Sequence, residues 1–248
     1  MKNPNVIVSS DYGSIIINRF DQFIGRDISR DGYFGIDDIN IIKLLLNSQI
    51  DKFGKITFYD VGANIGTHTL AIAKSYKEKV SIRAFEAQRQ IYHMLCGTLA
   101  INGISNTKAY LNAVSDRDGE EIEINLPDYN EPNNFGGVEL VPAISSDNHK
   151  MIKTSIDRIK TITLDSFDER VDFIKMDIEG MEKEGLLGSQ KTIEAHRPIC
   201  HIEMLKTDVD FVLSFFQSRN YIAYENSINL IYIPAEYRLN ISGLKRIF

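Results

Sequence analysis

Two cysteines, Cys96 and Cys200, are all that this chain of 248 residues carries. They lie far apart in apolar surroundings, with neither C-x-x-C spacing nor the density of a secreted disulfide scaffold, so we expect buried free thiols. No apolar stretch approaches the ~20 residues needed to cross a bilayer, which argues against a membrane-spanning helix. The opening M-K-N-P-N-V-I-V-S-S-D also lacks the apolar core of a signal peptide. These absences give a cytoplasmic location, or another reducing compartment, as the expectation. No run of Lys and Arg is long enough to track phosphates, and the net charge is −6 with a pI near 5.4. Nucleic acid is therefore a disfavoured partner, although a local basic groove can hide within an acidic surface. Low-complexity segments and internal repeats are missing too.

What is present is ordinary in bulk and specific in order. An apolar share of 43% and a charged share of 25% are those of a globular protein, and the length suits one α/β domain with additions at its ends. We divide the chain into an N-terminal hairpin and helix extension over 1–50 and a main domain over 51–248. In the extension, V-I-V and S-I-I-I flank the turn signal Asp11, Tyr12, Gly13 and predict a hairpin. After the Gly-rich R-D-G-Y-F-G, the spacing of Ile39, Ile42, Leu45 and Leu46 predicts a helix over 37–49.

From Lys55 onward, apolar β-rich runs alternate with helical patterns, the rhythm of a parallel sheet. The strand-like runs are K-I-T-F-Y-D, V-S-I-R-A-F-E, A-Y-L-N-A-V-S, V-D-F-I-K-M-D and P-I-C-H-I-E-M. Being nearly all apolar, they suit strands covered on both faces. Helices are expected through Ala73, over about 88–102 and over about 208–219. The runs Y-I-A-Y-E-N and I-N-L-I-Y-I-P lie too close together for a crossover and should pair antiparallel. Between about 120 and 165 the rhythm breaks into E-I-E-I-N-L, the loop D-Y-N-E-P-N-N-F-G-G and V-E-L-V-P-A-I, which we read as a β-containing lid insertion.

The segment D-V-G-A-N-I-G-T (60–67) follows a strand and opens a helix, which places it in the first βα turn of an open sheet, where ligands of such folds bind. Gly62 and Gly66 permit a tight turn and close backbone approach. Asp60, at the end of the strand, would repel a pyrophosphate but attract an amino-acid ammonium. Glu86 ends the next strand, 26 residues after Asp60, where a carboxylate can accept bonds from ribose hydroxyls. Acid, glycine turn and second acid together fit S-adenosylmethionine as cofactor. Asn64 offers a polar group in the same turn, and the Thr67 hydroxyl can cap the helix or contact the donor's carboxylate end. Asn112 and Ala113, with Val114, lie where an adenine ring would reach.

The ordered series D-V-G-A-N-I-G-T, A-F-E-A, N-A-V-S-D-x-x-G, N-F-G-G, T-L-D-S and I-K-M-D-I-E-G-M-E resembles the FkbM family of methyltransferases over about 58–204. The resemblance implies S-adenosylmethionine-dependent methylation, usually of a hydroxyl oxygen on a sugar or natural product. The expected fold is thus α/β: a class I methyltransferase, Rossmann-like, with a mostly parallel seven-stranded sheet and an antiparallel C-terminal strand, plus the small N-terminal hairpin and helix.

Methyl transfer to a hydroxyl needs an in-line approach and removal of a proton, for which a carboxylate can act as base. Asp177 ends its strand at the same sheet edge as Asp60 and Glu86, Glu179 follows before Gly180, and Glu203 lies near the end of the next strand. These three are the catalytic candidates, with helix capping as the bland alternative for Asp177 and Glu179. A Mg²⁺ held by clustered oxygens is the alternative route, but no metal is assigned because the resemblance requires none. Strand alternation puts His201 on the face of Glu203; we read it as a hydrogen-bonded core histidine, and leave His68 undecided. Asn134 and Gly136, in N-N-F-G-G, are expected to close over donor or acceptor. The expected partner is a small hydroxylated or carbohydrate acceptor. A nucleic-acid methyltransferase and a cofactor-binding protein without turnover are the other readings, and a nicotinamide oxidoreductase is opposed by the acidic first turn.

Overall fold

The apolar strands converge on one sheet because their alternation presents a hydrophobic row to each side. The computed structural model describes residues 3–138, 153–239 and 241–248. The chain opens with β1 (Asn5–Ser10) and β2 (Gly13–Asn18), paired antiparallel, then α1 (Ile24–Asp31) and α2 (Ile36–Phe53). β3 (Ile56–Val61), α3 (Thr67–Tyr76), β4 (Val80–Glu86), α4 (Arg89–Ile101) and β5 (Thr107–Leu111) form the first half of the main sheet. A side sheet follows from β6 (Ala113–Val114), β7 (Glu121–Pro127) and β8 (Lys153–Ile162). The second half of the main sheet comprises β9 (Phe173–Met176), α5 (Glu182–Leu187), α6 (Gln190–His196), β10 (Ile199–Glu203), α7 (Val209–Gln217), β11 (Tyr221–Asn226) and β12 (Asn229–Pro234).

The seven strands run in the order β11-β12-β10-β9-β3-β4-β5, and only β12 is antiparallel to its neighbours. The order reverses between β3 and β9, which puts the ligand crevice outside the carboxyl ends of those strands. One face buries Tyr59, Val61, Ile174, Met176, Cys200 and Ile202 against Leu186, Val212 and Phe216. The other buries Ile56, Phe58, Phe173 and Ile199 against Ile42, Leu45 and Leu46 of α2 and Ile72 of α3. Each such side chain contributes roughly 1.5–3 kcal/mol when fully buried, so α2 belongs to the main core as much as to the N-terminal extension. Among the described residues, no helix is long and apolar enough to cross a membrane.

Three local expectations change. R-D-G-Y-F-G joins two helices where only the second was expected: Gly32 ends α1 and Gly35 precedes α2, both in the left-handed region at φ 84° and 66°. The helix α1 carries a stripe of two residues, Ile24 and Ile28, too short for a period to be read. A-Y-L-N-A-V-S is broken after Leu111, and Ala113–Val114 pairs in parallel with Thr161 and Ile162 of the side sheet instead. Cys96 is only partly buried, although Cys200 is buried as expected and both are free. Within the insertion, β7 and β8 supply the expected β structure; of V-E-L-V-P-A-I, residues 139–144 lie outside the described residues.

Candidate active site

Along the sheet face covered by α2 and α3, the strands change from apolar to polar towards their carboxyl ends. β3 runs Ile56, Phe58, Asp60; β9 runs Phe173, Lys175; β10 runs Ile199, His201, Glu203. Because the register sets Asp60 beside Lys175 and Lys175 beside His201, the three polar side chains form a row under the crevice. Lys175 is 5% exposed. Its ammonium donates to the Gly62 carbonyl at 2.9 Å and lies 3.5 Å from Asp60 Oδ1 and 3.6 Å from Asp177 Oδ2. Burial pulls the Lys175 pKa down, but Asp177 and Asp60 more than offset it, so the group stays charged.

This row answers the question of Asp60. Its carboxylate is fully buried, accepts from Thr69 Oγ1 at 2.5 Å, faces Lys175, and does not line the cavity. Asp60, expected to face a donor ammonium, thus faces the Lys175 ammonium beneath the cavity floor instead.

The cavity has a volume of about 390 Å³ and two chemically distinct ends. At one end the turn after β3 is held open by backbone: Gly62 and Ala63 both donate to the Phe85 carbonyl, at 3.0 and 2.9 Å. Gly62 is left-handed at φ 78°, and a Cβ there would strike the backbone carbonyl of Asp177. Gly66, at φ 94°, has the Leu95 side chain of α4 in the same position. Both glycines are thus required by close packing of the protein on itself, and of the two Gly62 lines the cavity while Gly66, predicted to meet the donor, does not. Glu86, 6% exposed, accepts from the Asn64 amide at 2.9 Å and the Gln88 amide at 2.7 Å. Burial raises its pKa to about 7, against those hydrogen bonds. Both oxygens keep acceptor capacity for a ligand, since a carboxylate offers about four lone-pair sites. Asn112, Ala113, Val114, Phe85 and Ile178 complete this end, and Asn112 Nδ2 donates to the Lys160 carbonyl. Thr67 lines the cavity in the first turn of α3; the cap residue is Gly66, and no side chain caps that helix.

The other end is acidic. Asp177, Glu179 and Glu203 do meet there, as the sequence predicted, and are joined by Asp38 from α2, His68 and Asn229. Each carboxylate is differently partnered. Asp177 has Lys175, whereas Glu179 is held by Lys206 at 2.6 Å. Glu203 is 6% exposed, and its Oε2 is buried with no hydrogen-bond partner among the described residues. Burial, reinforced by Asp177, Glu179 and Glu182, pushes its pKa up to about 8. Asp38 Oδ1 accepts from Asn226 at 2.8 Å and Asn229 at 3.2 Å and lies 3.3 Å from His201 Nε2. Burial opposes its ionisation, but His201 and His68 together with Asn229 hold its pKa below the ordinary carboxylate value. Burial and the nearby Lys175 lower His68 to about 4, leaving it neutral at pH 7. His201, 2% exposed, is a core residue as read and does not line the cavity.

The D-I-E-G turn is shaped by a residue the sequence reading passed over. Glu182, fully buried, accepts from the amides of Ile178 at 2.9 Å and Gly180 at 3.2 Å. Glu182 thus ties the turn that precedes α5, whose N-cap residue is Met181 and which no side chain caps, and Glu179 sits in the left-handed region at φ 55°, a conformation costly outside glycine. The N-N-F-G-G loop reaches the cavity through Asn134, Gly136 and Gly137, but its glycines do not leave it free. Asn134 Oδ1 accepts from Gly136 and Gly137, Phe135 is 1% exposed, and Gln88 and Lys206 donate to the carbonyls of Phe135 and Gly137. Lys175, Asp38, Asn229 and Lys206 were also missed. Only Lys175 left a signal, as the lone cation in an apolar strand, where a lysine is rarely buried without partners. Among the described residues, no set of three or more His, Cys, Asp or Glu is arranged to hold a metal.

A mostly parallel seven-stranded sheet of this order, with a crevice at its reversal point, is the α/β architecture of class I methyltransferases. The model of the Methyltransferase FkbM domain matches residues 60–223, and the chain belongs to that family. Among solved structures, the methyltransferase FkbM from Methylobacillus flagellatus KT aligns at 20% identity with a TM-score of 0.52, covering 72% of this chain and 43% of that one. The chain therefore spans under half the length of that relative. TYW2 of M. jannaschii, solved in complex with AdoMet, aligns at 13% identity and TM-score 0.46, covering 94% of this chain and 85% of that one. A search of curated proteins finds no match.

Proposed function

We propose that the protein is an S-adenosylmethionine-dependent O-methyltransferase acting on a hydroxyl of a small, hydroxylated or carbohydrate acceptor. The observation that carries this reading is the single cavity with its two ends. One presents backbone, an apolar wall and the Glu86 carboxylate, and the other presents carboxylates. The first end fits the methyl donor: Gly62, Asn64 and Thr67 would hold its amino-acid part, with Asp60 and Gly66 supporting from behind, and Glu86, Asn112 and Ala113 its nucleoside. When bound, that donor supplies a methyl group on a sulfonium, a leaving arrangement that needs no metal.

The protein's own residues supply the rest. Glu203, unpartnered and raised towards neutrality, takes the hydroxyl proton as the oxygen–carbon bond forms, with Asp177 and Glu179 aligning the acceptor. Asp38 and Asn229 offer fixed acceptor and donor groups to the remainder of that molecule. Asn134 and Gly136 close the cavity from water, which strengthens every charge inside it. An acidic end disfavours phosphate-bearing acceptors, nucleic acid among them. The test is a screen of hydroxylated small molecules, carbohydrates and RNA with donor labelled in the methyl group. Label in a hydroxylated small molecule supports the reading, and label in RNA alone overturns it.

A further inference from the structure

We propose that Lys175 is the positioning residue of this site, one buried ammonium that fixes the Gly62 carbonyl of the donor turn and holds the Asp177 carboxylate of the acceptor end. The inference rests on the donor and acceptor reading above and goes further by giving the two ends a common anchor.

The geometry carries it. A buried lysine needs a countercharge, and Asp60, beside it in register, would by itself supply one. Lys175 does more than neutralise Asp60. Its shortest contact, 2.9 Å, is to the carbonyl of Gly62, the residue whose left-handed φ of 78° sets the donor turn. Its other contact, 3.6 Å, is to Asp177, whose side chain is 41% exposed towards the cavity. An ammonium has three N–H groups, and here three acceptors surround it. The carbonyl of Asp177 also lies against the Cα of Gly62, where a Cβ would strike it. Donor turn and Asp177 therefore touch through backbone and are cross-linked through one side chain.

The same trio has a net charge of −1, from two carboxylates and one ammonium. His68 adds none near pH 7, since it is neutral there. Glu86 also faces Lys175 from β4, at the nucleoside side of the cavity. Loss of the ammonium removes a direct hydrogen bond from the donor turn and a direct partner from Asp177, but only a through-space charge from Glu86, so it should disturb the amino-acid side of the donor far more than the nucleoside side.

The experiment compares two probes by calorimetry. S-adenosylhomocysteine carries the amino-acid part, and 5′-methylthioadenosine lacks it. In Lys175→Met, affinity for the first is expected to fall at least about tenfold, the worth of one charge-assisted hydrogen bond, with the second changed by less than about twofold. Lys175→Arg should recover most of the loss, because it keeps the charge and donors. The variant Lys175→Met with Asp60→Asn removes the stranded carboxylate and should show the same selective loss if the single variant unfolds. Equal loss for both probes, or an unchanged affinity for S-adenosylhomocysteine, overturns the proposal. Failure of the wild-type protein to bind either probe would instead overturn the donor reading on which it stands.

Discussion

The two ends of the cavity are built in different ways. The donor end comes from two consecutive βα turns, after β3 and β4, together with Asn112, which follows β5, and Ala113, which opens β6. Its geometry is made by backbone: amides on Glu86, left-handed glycines, and carbonyls in contact. The acceptor end draws on α2, β9, β10, β12 and the loop around Asn134, which are remote in sequence, and its geometry is made by charged side chains. Asp38 and Asn229 lie outside the residues 60–223 matched by the family. On the proposed reading the family segment supplies the whole donor end and the three carboxylates of the acceptor end, while the residues outside it add Asp38 and Asn229 to the acceptor end alone.

If that division is real, the ends should fail separately. The largest effect is expected in Glu203→Gln, where methyl transfer to an acceptor found in the screen should drop by roughly 10²–10⁴, the usual worth of a positioned base. Affinity for S-adenosylhomocysteine should hold within a few-fold. Comparable loss of donor binding would show the two ends to be one. Gly62→Ala should break the donor end in the opposite sense, abolishing calorimetric binding. It should also lower thermal stability by about 1–3 kcal/mol, because φ 78° is strained for alanine and its Cβ meets the Asp177 carbonyl.

Asp38→Asn sharpens the comparison, since it lies outside the family segment. The acceptor KM should rise about tenfold, the cost of one hydrogen bond to a charged group, with donor affinity unchanged. A shift in donor affinity of the same size would move Asp38 to the other end.

The smallest effect is in pH dependence. With Glu203 raised to about 8, transfer should climb with pH and level off above that value, and Glu203→Gln should remove the rise. Stability runs the other way. The folded pKa values of Glu86 and Glu182, about 7, and of Glu203, about 8, lie above the ordinary carboxylate value. The protonated forms are thus favoured by folding, so the contribution of these three groups to stability is full below about pH 4.5 and is lost as pH rises through 7–8. Tm followed between pH 5 and 8.5 should fall, and Glu182→Gln should flatten the fall.

Much of this was legible because strands and turns are local. D-V-G-A-N-I-G-T and the carboxylate of Glu86 specify their turn within a few residues, and the final hairpin followed from the short spacing between β11 and β12. Asp177, Glu179 and Glu203 could be placed at one edge because they end or closely follow neighbouring parallel strands. Asp60 misled, because its partner Lys175 sits on a strand more than a hundred residues away, and pairing across a sheet leaves no mark at either position alone. Asp38 was invisible for the same reason: a polar residue in the first turn of an amphipathic helix reads as a dipole partner until tertiary packing brings His201, Asn226 and Asn229 to it. Glu182 was hidden by its neighbours, since D-I-E-G-M-E holds three acids and only the fold turns one of them back onto the amides of Ile178 and Gly180.

The most direct test of the central claim is a calorimetric titration of S-adenosylhomocysteine into the wild-type protein and into Glu203→Gln. The account predicts saturable binding at one site per chain, with closely similar affinity in the two. Absence of saturable heat in the wild-type protein would contradict it.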